Sequence, residues 1–111
     1  MSEYHWIYTT WPDAQAAEAA AQTLIGEKHA ACANIFAGAT SLYEWEGKVC
    51  SEAETIMVLK TSAAALNGLR ERLIGLHPYD LPCFIALPIT QRASHADYLA
   101  WVKAQTSAAS G

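Results

Sequence analysis

Three cysteines and four histidines are the side chains of this 111-residue sequence best suited to bind a soft metal ion. Thiolate sulfur and imidazole nitrogen are both good ligands for copper. Cys32 lies in "HAACAN", between a predicted helix and a predicted strand, and His29 precedes it by three residues. A free cysteine is also among the most buried residue types, where it packs as a small hydrophobic side chain. Cys32 is therefore a candidate metal ligand or a core residue, and His29 is a second candidate beside it.

A second group of candidates lies in "LHPYDLPC", after another predicted helix. His77 stands at the helix C-terminus, where the helix dipole favours a charged imidazole. It is therefore either a helix cap or a ligand-binding residue. The two prolines of this segment stiffen the loop, which suits both roles. Cys83 adds a thiol, so the candidate metal ligands for copper or another divalent cation are Cys32, His77 and Cys83.

The segment "ATSLYEWEGKVCSEAETIMVLKT", residues 39–61, predicts two strands joined by a tight turn at Glu46-Gly47. Two arms of about ten residues would reach about 30 Å, whereas a compact chain of this size has a radius of gyration of about 13 Å. A bare two-stranded ribbon is marginal in water, and its free edge invites pairing. We therefore expect self-assembly, with a trimer as the smallest closed ring and with Tyr43 and Trp45 as interface aromatics.

The remaining sequence supplies the elements that must position these residues. Periodicity and turn residues predict strands at 4–10, 31–38 and 83–89 and helices at 13–30, 61–77 and 94–105. With the hairpin, the order is β-α-β-β-α-β-α. This order predicts an α+β chain with a ferredoxin-like, split βαβ antiparallel sheet and an added C-terminal helix. One domain would cover residues 1–105, followed by a disordered tail at 106–111. The carboxylates of the hairpin are expected to form a solvated edge: Glu44, Glu46, Glu52 and Glu54.

Composition and charge narrow the possible partners. The net charge of −4 and the scattered basic residues argue against a nucleic-acid or anionic membrane surface. No apolar stretch approaches the roughly 18 residues of a membrane span. The start "MSEYHWIYTT" lacks the basic region of a signal peptide, and the cysteines show no C-x-x-C spacing. We expect a cytoplasmic protein. Because no nucleophile-elbow, zinc-protease or phosphate-loop motif is present, we do not expect an enzyme.

Four segments are distinctive in order and spacing: "AACANIFAGATSLYEWEGKV", "LKT", "LHPYDLPCFIALPI" and "YLAWV". Together they resemble the CutA divalent-cation tolerance family, from about residue 7 to residue 103. The resemblance implies a ferredoxin-like fold, a homotrimer joined through extended hairpins, a link to bacterial copper tolerance and some copper binding. It also implies a likeness to the PII signalling trimers. Three positions depart from the family pattern, namely His29, Cys50 and Cys83. Cys83 stands where Glu is typical, and His29 stands where Leu is more familiar.

Two functional hypotheses follow from these residues. In the first, a trimer binds copper or another divalent ion and takes part in the response to metal ions. The several thiols of a trimer would also bind soft metals without a designed site. In the second, the chain is a PII-like signalling scaffold that binds a small metabolite in clefts between subunits. The residues expected to line such a cleft are Lys60, His77, Tyr79 and Trp45.

Overall fold

The structure is a computed structural model that describes residues 2–107. This part of the chain contains four strands, three α-helices and one short 3₁₀ turn at Gln91–Ala93. The order of strands and α-helices confirms the predicted β-α-β-β-α-β-α succession. The bounds are β1 Tyr4–Trp11, α1 Ala14–Gly26, β2 Cys32–Trp45, β3 Lys48–Ser62, α2 Ala63–Leu76, β4 Phe84–Pro88 and α3 Ala96–Thr106.

The strands form one antiparallel sheet in the order β2-β3-β1-β4. Consecutive elements β1-α1-β2 and β3-α2-β4 are each a strand, a crossover helix and a second strand, which is the split βαβ arrangement. The predicted α+β class and antiparallel sheet are therefore confirmed. Within the sheet, the fully buried residues lie on the two central strands, β1 and β3.

Two apolar layers lie on opposite faces of the sheet. Successive side chains of a strand point to opposite faces, so Ile7 and Tyr4 of β1 face in opposite directions. The Ile7 face packs against α1 and α2, and the Tyr4 face packs against α3 at one end of the sheet. The first layer is the larger, and its buried residues are Ile7, Trp11, Ala17, Ala20, Ala21, Leu24, Ala30, Met57, Leu59, Leu69 and Leu73.

The predicted start of the first helix and the predicted end of the second are confirmed. The Asp13 carboxylate accepts the N–H of Ala16 at 2.8 Å, which caps α1. α2 ends at Leu76, and Pro78 follows, as the steric limit on the residue before a proline requires. α1 ends four residues earlier than predicted, at Gly26.

The third helix begins later than predicted. It starts at Ala96 because the His95 Nδ1 accepts the N–H of Tyr98 at 3.1 Å and so acts as the N-cap. The Ser94 hydroxyl instead donates to the carbonyl of Thr90. At the other end, Thr106 was assigned to a disordered tail, and this boundary is wrong: Thr106 is buried within α3. Residues 108–111 of the predicted tail lie outside the described residues.

The hairpin of β2 and β3 extends beyond the rest of the sheet. Residues 48–54 of β3 pair with β2 alone, because β1 pairs only with residues 55–62. The predicted turn at Glu46-Gly47 is confirmed, with φ of +51° and +79°, a pair of left-handed residues that suits a two-residue hairpin loop. A bulge in β2 between Phe36 and Ala39 places Gly38 at φ +86°.

The sheet face opposite α1 and α2 is only partly covered. α3 covers one end of it, and large apolar side chains remain exposed over the rest. Monomeric proteins rarely expose contiguous apolar patches of this kind. The open sheet face, as we call it, includes Trp6, Phe36, Ile85 and Leu87, which are 37–55% exposed.

A buried hydrogen-bond chain joins the two central strands and gives a test of the core. The Trp11 Nε1 donates to the Thr9 hydroxyl at 2.7 Å, and that hydroxyl donates to the Met57 carbonyl at 2.8 Å. Thr9→Val should lower the free energy of unfolding by about 1–3 kcal/mol, because two buried polar groups lose their partner. Thr40→Val, on the exposed hairpin, is the control in urea denaturation at one protein concentration. Equal losses in the two variants would contradict this account.

Candidate functional site

The first group of functional side chains lies on the open sheet face, and we call it the Cys32 cluster: Cys32, Lys60 and Tyr98. The strand register places Trp6, Lys60 and Cys32 side by side across β1, β3 and β2. α3 packs over this row and brings the Tyr98 hydroxyl 3.6 Å from the Cys32 Sγ and 3.5 Å from the Lys60 Nζ. The Lys60 ammonium also lies 5.5 Å from the centre of the Tyr98 ring.

Electrostatic effects within the Cys32 cluster are mutual. Burial alone would lower the pKa of the Lys60 ammonium, but the Cys32 thiol and the Tyr98 hydroxyl raise it, and the net shift is upward. The pKa of Tyr98 is also raised, first by burial and then by its contact with Cys32, while Lys60 opposes the shift. The cluster therefore favours the charged form of the Lys60 ammonium and the protonated form of the Tyr98 hydroxyl.

The second group lies near the middle of the sheet, and we call it the His77 cluster: Trp11, His77, Tyr79, Glu54 and Cys83. The His77 ring is buried, with its centre 4.1 Å from that of the Trp11 ring. Its Nε2 donates to the Thr10 carbonyl at 2.8 Å, and its Nδ1 accepts the N–H of Tyr79 at 3.1 Å. Both ring nitrogens are therefore engaged, and His77 positions the loop that follows α2.

Glu54 links the other members of the His77 cluster. The Tyr79 hydroxyl donates to the Glu54 Oε2 at 3.0 Å. Burial, this bond and the Glu54 charge raise the pKa of Tyr79 to about 12. Burial and the same carboxylate raise the pKa of the Cys83 thiol, against a weaker opposing effect of the Thr10 hydroxyl. Glu54, expected on a solvated edge, is instead half-buried in a hydrogen bond.

The three predicted metal ligands do not form one site within a chain. Cys32 lies in the Lys60 row, whereas Cys83 adjoins Thr10, which is four residues of β1 or about 13 Å farther along the sheet. Across residues 2–107, no group of three or more His, Cys, Asp and Glu side chains is arranged to hold a metal ion. A single-chain site made from Cys32, His77 and Cys83 is therefore not formed.

His29 does not lie beside Cys32 as a partner ligand. A Cβ added at Gly68 of α2 would meet the His29 Nδ1 at 3.1 Å, which places the ring against the helical layer. Its Nε2 lies 3.4 Å from the Glu27 carboxylate. Cys32 instead contacts Tyr98, on the opposite face of the sheet.

The four residues predicted to line a small-ligand cleft are also separated within a chain. Lys60 pairs with Cys32 at one end of the β2–β3 ribbon, and Trp45 pairs with Lys48 at the turn at the other end. His77 and Tyr79 lie between these ends. A cleft lined by all four residues would need more than one chain.

The aromatic side chains of the hairpin are exposed to solvent within one chain. Trp45 is 62% exposed, and Tyr43 is 41% exposed. The Tyr43 hydroxyl donates to the Glu52 carboxylate across the ribbon, so its ring is held in place while one side stays open. Their predicted role as interface residues stays a prediction.

Trp11 and Tyr98 are the residues of these clusters that the sequence analysis missed, and of the two it is Tyr98 that contacts a candidate metal ligand. It lies 66 residues from Cys32 along the chain, so no local pattern connects the two residues. The spacing of Tyr98 and Trp101, one helical turn apart, was the available signal, and their ring centres are 5.6 Å apart.

The fold and these clusters define a class: a split βαβ protein with an overlong hairpin and a thiol–ammonium pair on an open sheet face. The profile of the family described as "CutA1 divalent ion tolerance protein" matches residues 5–105. The chain belongs to this family, as its sequence motifs indicated. Among residues 2–107, no helix has the length and apolar character needed to cross a membrane.

Relatives agree with this assignment. "Protein CutA, chloroplastic" of Arabidopsis thaliana is 43% identical over 100 residues, which are 90% of this chain and 54% of that protein. "Divalent-cation tolerance protein CutA" of Thermus thermophilus is 38% identical over 100 residues, 90% of this chain and 95% of the other. The chain thus spans about half the length of the plant relatives. The apo structure of the PII-like protein CutA from Nostoc is 35% identical with a TM-score of 0.85, covering 92% of this chain and 96% of that one.

The raised pKa of Tyr79 gives a pH test of the His77 cluster. Folding favours the protonated phenol, so the stability that it adds is complete below pH 10.0 and is lost as the pH rises towards about 12. A difference titration of tyrosinate absorbance, wild type minus Tyr79→Phe, should show one group ionising near pH 12. Glu54→Gln should move that titration to lower pH. A difference curve centred at pH 10 would contradict the assignment.

Proposed function

We propose that the chain acts as a homotrimeric divalent-cation tolerance protein that binds copper or another divalent metal ion in the response to metal ions. The observation that carries this proposal is the position of Cys32. Its thiol is half-buried on the open sheet face, beside Lys60 and Tyr98. Thiolate sulfur is a strong ligand for copper. Because one chain lacks a group of three ligands within residues 2–107, a second chain would complete the site.

Assembly is supported by surfaces that one chain leaves unpartnered. The open sheet face exposes Trp6, Phe36, Ile85 and Leu87, and the hairpin exposes Trp45. Residues 48–54 of β3 have one neighbouring strand and one free edge. Homotrimer formation through the hairpins would cover both kinds of surface, with Tyr43 and Trp45 at the contacts.

The ligand roles differ among the three candidates. Cys32 and Cys83 are free thiols, whereas His77 would have to give up a hydrogen bond to Thr10 or Tyr79 before binding a metal. We therefore place copper first at Cys32, with Cys83 as a thiol ligand elsewhere in the assembly. The relative from Thermus carries divalent-cation tolerance in its name, and we extend that role to this chain. A cytoplasmic location fits the three free thiols.

Native mass spectrometry of reduced, metal-free protein tests this function directly. Titration with Cu(I) and then with Zn(II) should show a trimer that takes up one copper ion per chain in a distinct step. Cys32→Ser should remove that step and leave the trimer intact, because the thiolate supplies the copper affinity.

Cys50→Ser is the matched control, since Cys50 lies on the hairpin away from the Cys32 cluster. It should keep the copper step. A broad distribution in the number of copper ions bound per trimer, unchanged in Cys32→Ser, would mean nonspecific binding to thiols. It would reject a specific copper site at Cys32. A monomer at all concentrations would reject the assembly.

A second candidate function is a PII-like scaffold that binds a small metabolite between subunits. The observation that favours it is Lys60, whose ammonium contacts a hydroxyl and a thiol and, within residues 2–107, pairs with no carboxylate. The solved relative from Nostoc is described as PII-like. An anionic metabolite would supply the missing negative charge.

A thermal-shift screen distinguishes this scaffold from the metal protein. Small carboxylates and phosphates should raise the melting temperature of the wild type, because a ligand that binds only the folded state stabilises it. The shift should vanish in Lys60→Met and persist in Cys32→Ser. If no anion stabilises the protein, or if the shift survives in Lys60→Met, this candidate is wrong.

A further inference from the structure

A groove of about 580 Å³ lies away from both clusters, at the end of β1 opposite the overhanging hairpin. The start of the chain runs there beside the segment that follows β4. Small-molecule sites commonly enclose about 300–1,000 Å³, so the groove has room for a metabolite. We call it the Arg92 groove, and its lining residues are Ser2, Pro88, Ile89, Thr90, Gln91 and Arg92.

Arg92 differs from the other two arginines because its guanidinium has no partner. Arg70 donates to the Asn67 side-chain oxygen at 3.0 Å. Arg72 donates to both oxygens of the Glu27 carboxylate. Within residues 2–107, no hydrogen bond or ion pair engages the guanidinium of Arg92. Its paired N–H donors, which match the oxygens of a carboxylate or a phosphate, are therefore unused.

Two further side chains of the Arg92 groove have free donors. The Gln91 Oε1 accepts the N–H of Glu3 at 3.2 Å, which leaves the amide nitrogen as the unused end of that side chain. The Thr90 hydroxyl is also unpaired in the described part of the chain. None of the six lining residues is acidic, and the Glu3 carboxylate lies 3.8 Å from the Lys103 ammonium. The groove thus presents a positive charge and donors without a competing carboxylate.

Hydrogen bonds to the backbone hold the Arg92 groove in shape. On one side, the Ser2 hydroxyl oxygen lies 2.7 Å from the Ile89 carbonyl oxygen. On the other side, the Ser94 hydroxyl donates to the Thr90 carbonyl at 2.8 Å and closes the short turn that carries Arg92. A site whose backbone is already fixed loses less conformational entropy when a ligand binds.

We propose that the Arg92 groove binds the oxyanion group of a small metabolite, either a carboxylate or a phosphate. Arg92 supplies the positive charge, and the Gln91 amide and the Thr90 hydroxyl donate to the oxygens of the anion. The apolar side chains of the groove contact the rest of the metabolite.

This proposal does not rest on copper binding or on the Lys60 cleft of the second candidate function. None of the six lining residues belongs to the Cys32 cluster or to the His77 cluster. They are also separate from the residues assigned to the homotrimer contacts on the open sheet face and the hairpin. The Arg92 groove is therefore a distinct site, and it can be tested separately.

Nuclear magnetic resonance of the reduced, metal-free, ¹⁵N-labelled full chain tests the proposal. The probes are sodium phosphate and sodium acetate, each compared with sodium chloride at the same ionic strength. A bound anion should shift the Nε–H signal of Arg92 and the side-chain amide signals of Gln91 until they saturate. The probe with the higher affinity identifies the oxyanion group. Chloride should cause only small shifts that do not saturate, because it cannot accept the paired hydrogen bonds of a guanidinium.

Arg92→Gln should weaken the affinity, followed at the Gln91 amide, by about tenfold or more, the factor that a hydrogen bond to a charged group contributes. Arg70→Gln is the matched control, since it removes an equal charge that lies on α2 and already has a partner. It should keep the wild-type affinity. Lys60→Met should keep it as well, because Lys60 does not line the Arg92 groove.

Three results would overturn the proposal: shifts that do not saturate, equal shifts with chloride, or an affinity that is unchanged in Arg92→Gln. A loss of affinity in Lys60→Met but not in Arg92→Gln would assign the anion to the second candidate function and reject the Arg92 groove. Because an anion bound in this groove would also raise the melting temperature, the thermal-shift comparison of Lys60→Met is made in the Arg92→Gln background. The two sites can then fail independently.

Discussion

The pairing register of β3 with β2 and β1 is the constraint on which both clusters depend. Because strand side chains alternate between faces, a slip of β3 by one residue would move Lys60 from the open sheet face into the helical layer and away from Cys32. It would also send Leu59 out of the core. The apolar residues that pack against α1 and α2 therefore fix the register, and the register in turn fixes which polar groups meet. The set of side chains on the open sheet face is therefore a consequence of how the other face is buried.

The Lys60 ammonium would have two opposite effects on the proposed metal binding at Cys32. A positive charge stabilises a neighbouring thiolate, which is the form of cysteine that binds metal. The same charge repels an incoming metal cation. Lys60 contacts Tyr98 and Cys32 but pairs with no carboxylate within residues 2–107. A metal bound at Cys32 would thus be favoured when other negative ligands come with it.

Local signals in the sequence predicted the order of elements, the turn at Gly47 and the cap at Asp13. These features depend on residues close together in the chain. The contacts that define the clusters join distant residues: Tyr98 to Cys32 across 66 positions and Tyr79 to Glu54 across 25. No periodicity encodes such contacts, because they follow from the packing of α3 and of the loop after α2. Sequence proximity was also misleading, since His29 and Cys32 lie only three residues apart yet contact opposite faces of the sheet.

The two clusters lie too far apart for one chain to bind a single metal ion with ligands from both. Each cluster has one thiol, and neighbouring side chains already engage the polar atoms around it, as His77 shows with both ring nitrogens bonded. A tightly held metal needs three or four ligands converging on one point. One chain offers only partial sets of metal ligands. Its open sheet face and its overhanging hairpin are exposed surfaces that other copies of the chain would contact in the proposed homotrimer. In the proposed homotrimer, function and assembly would therefore be linked, since the association that buries the apolar face would also bring partial metal sites together.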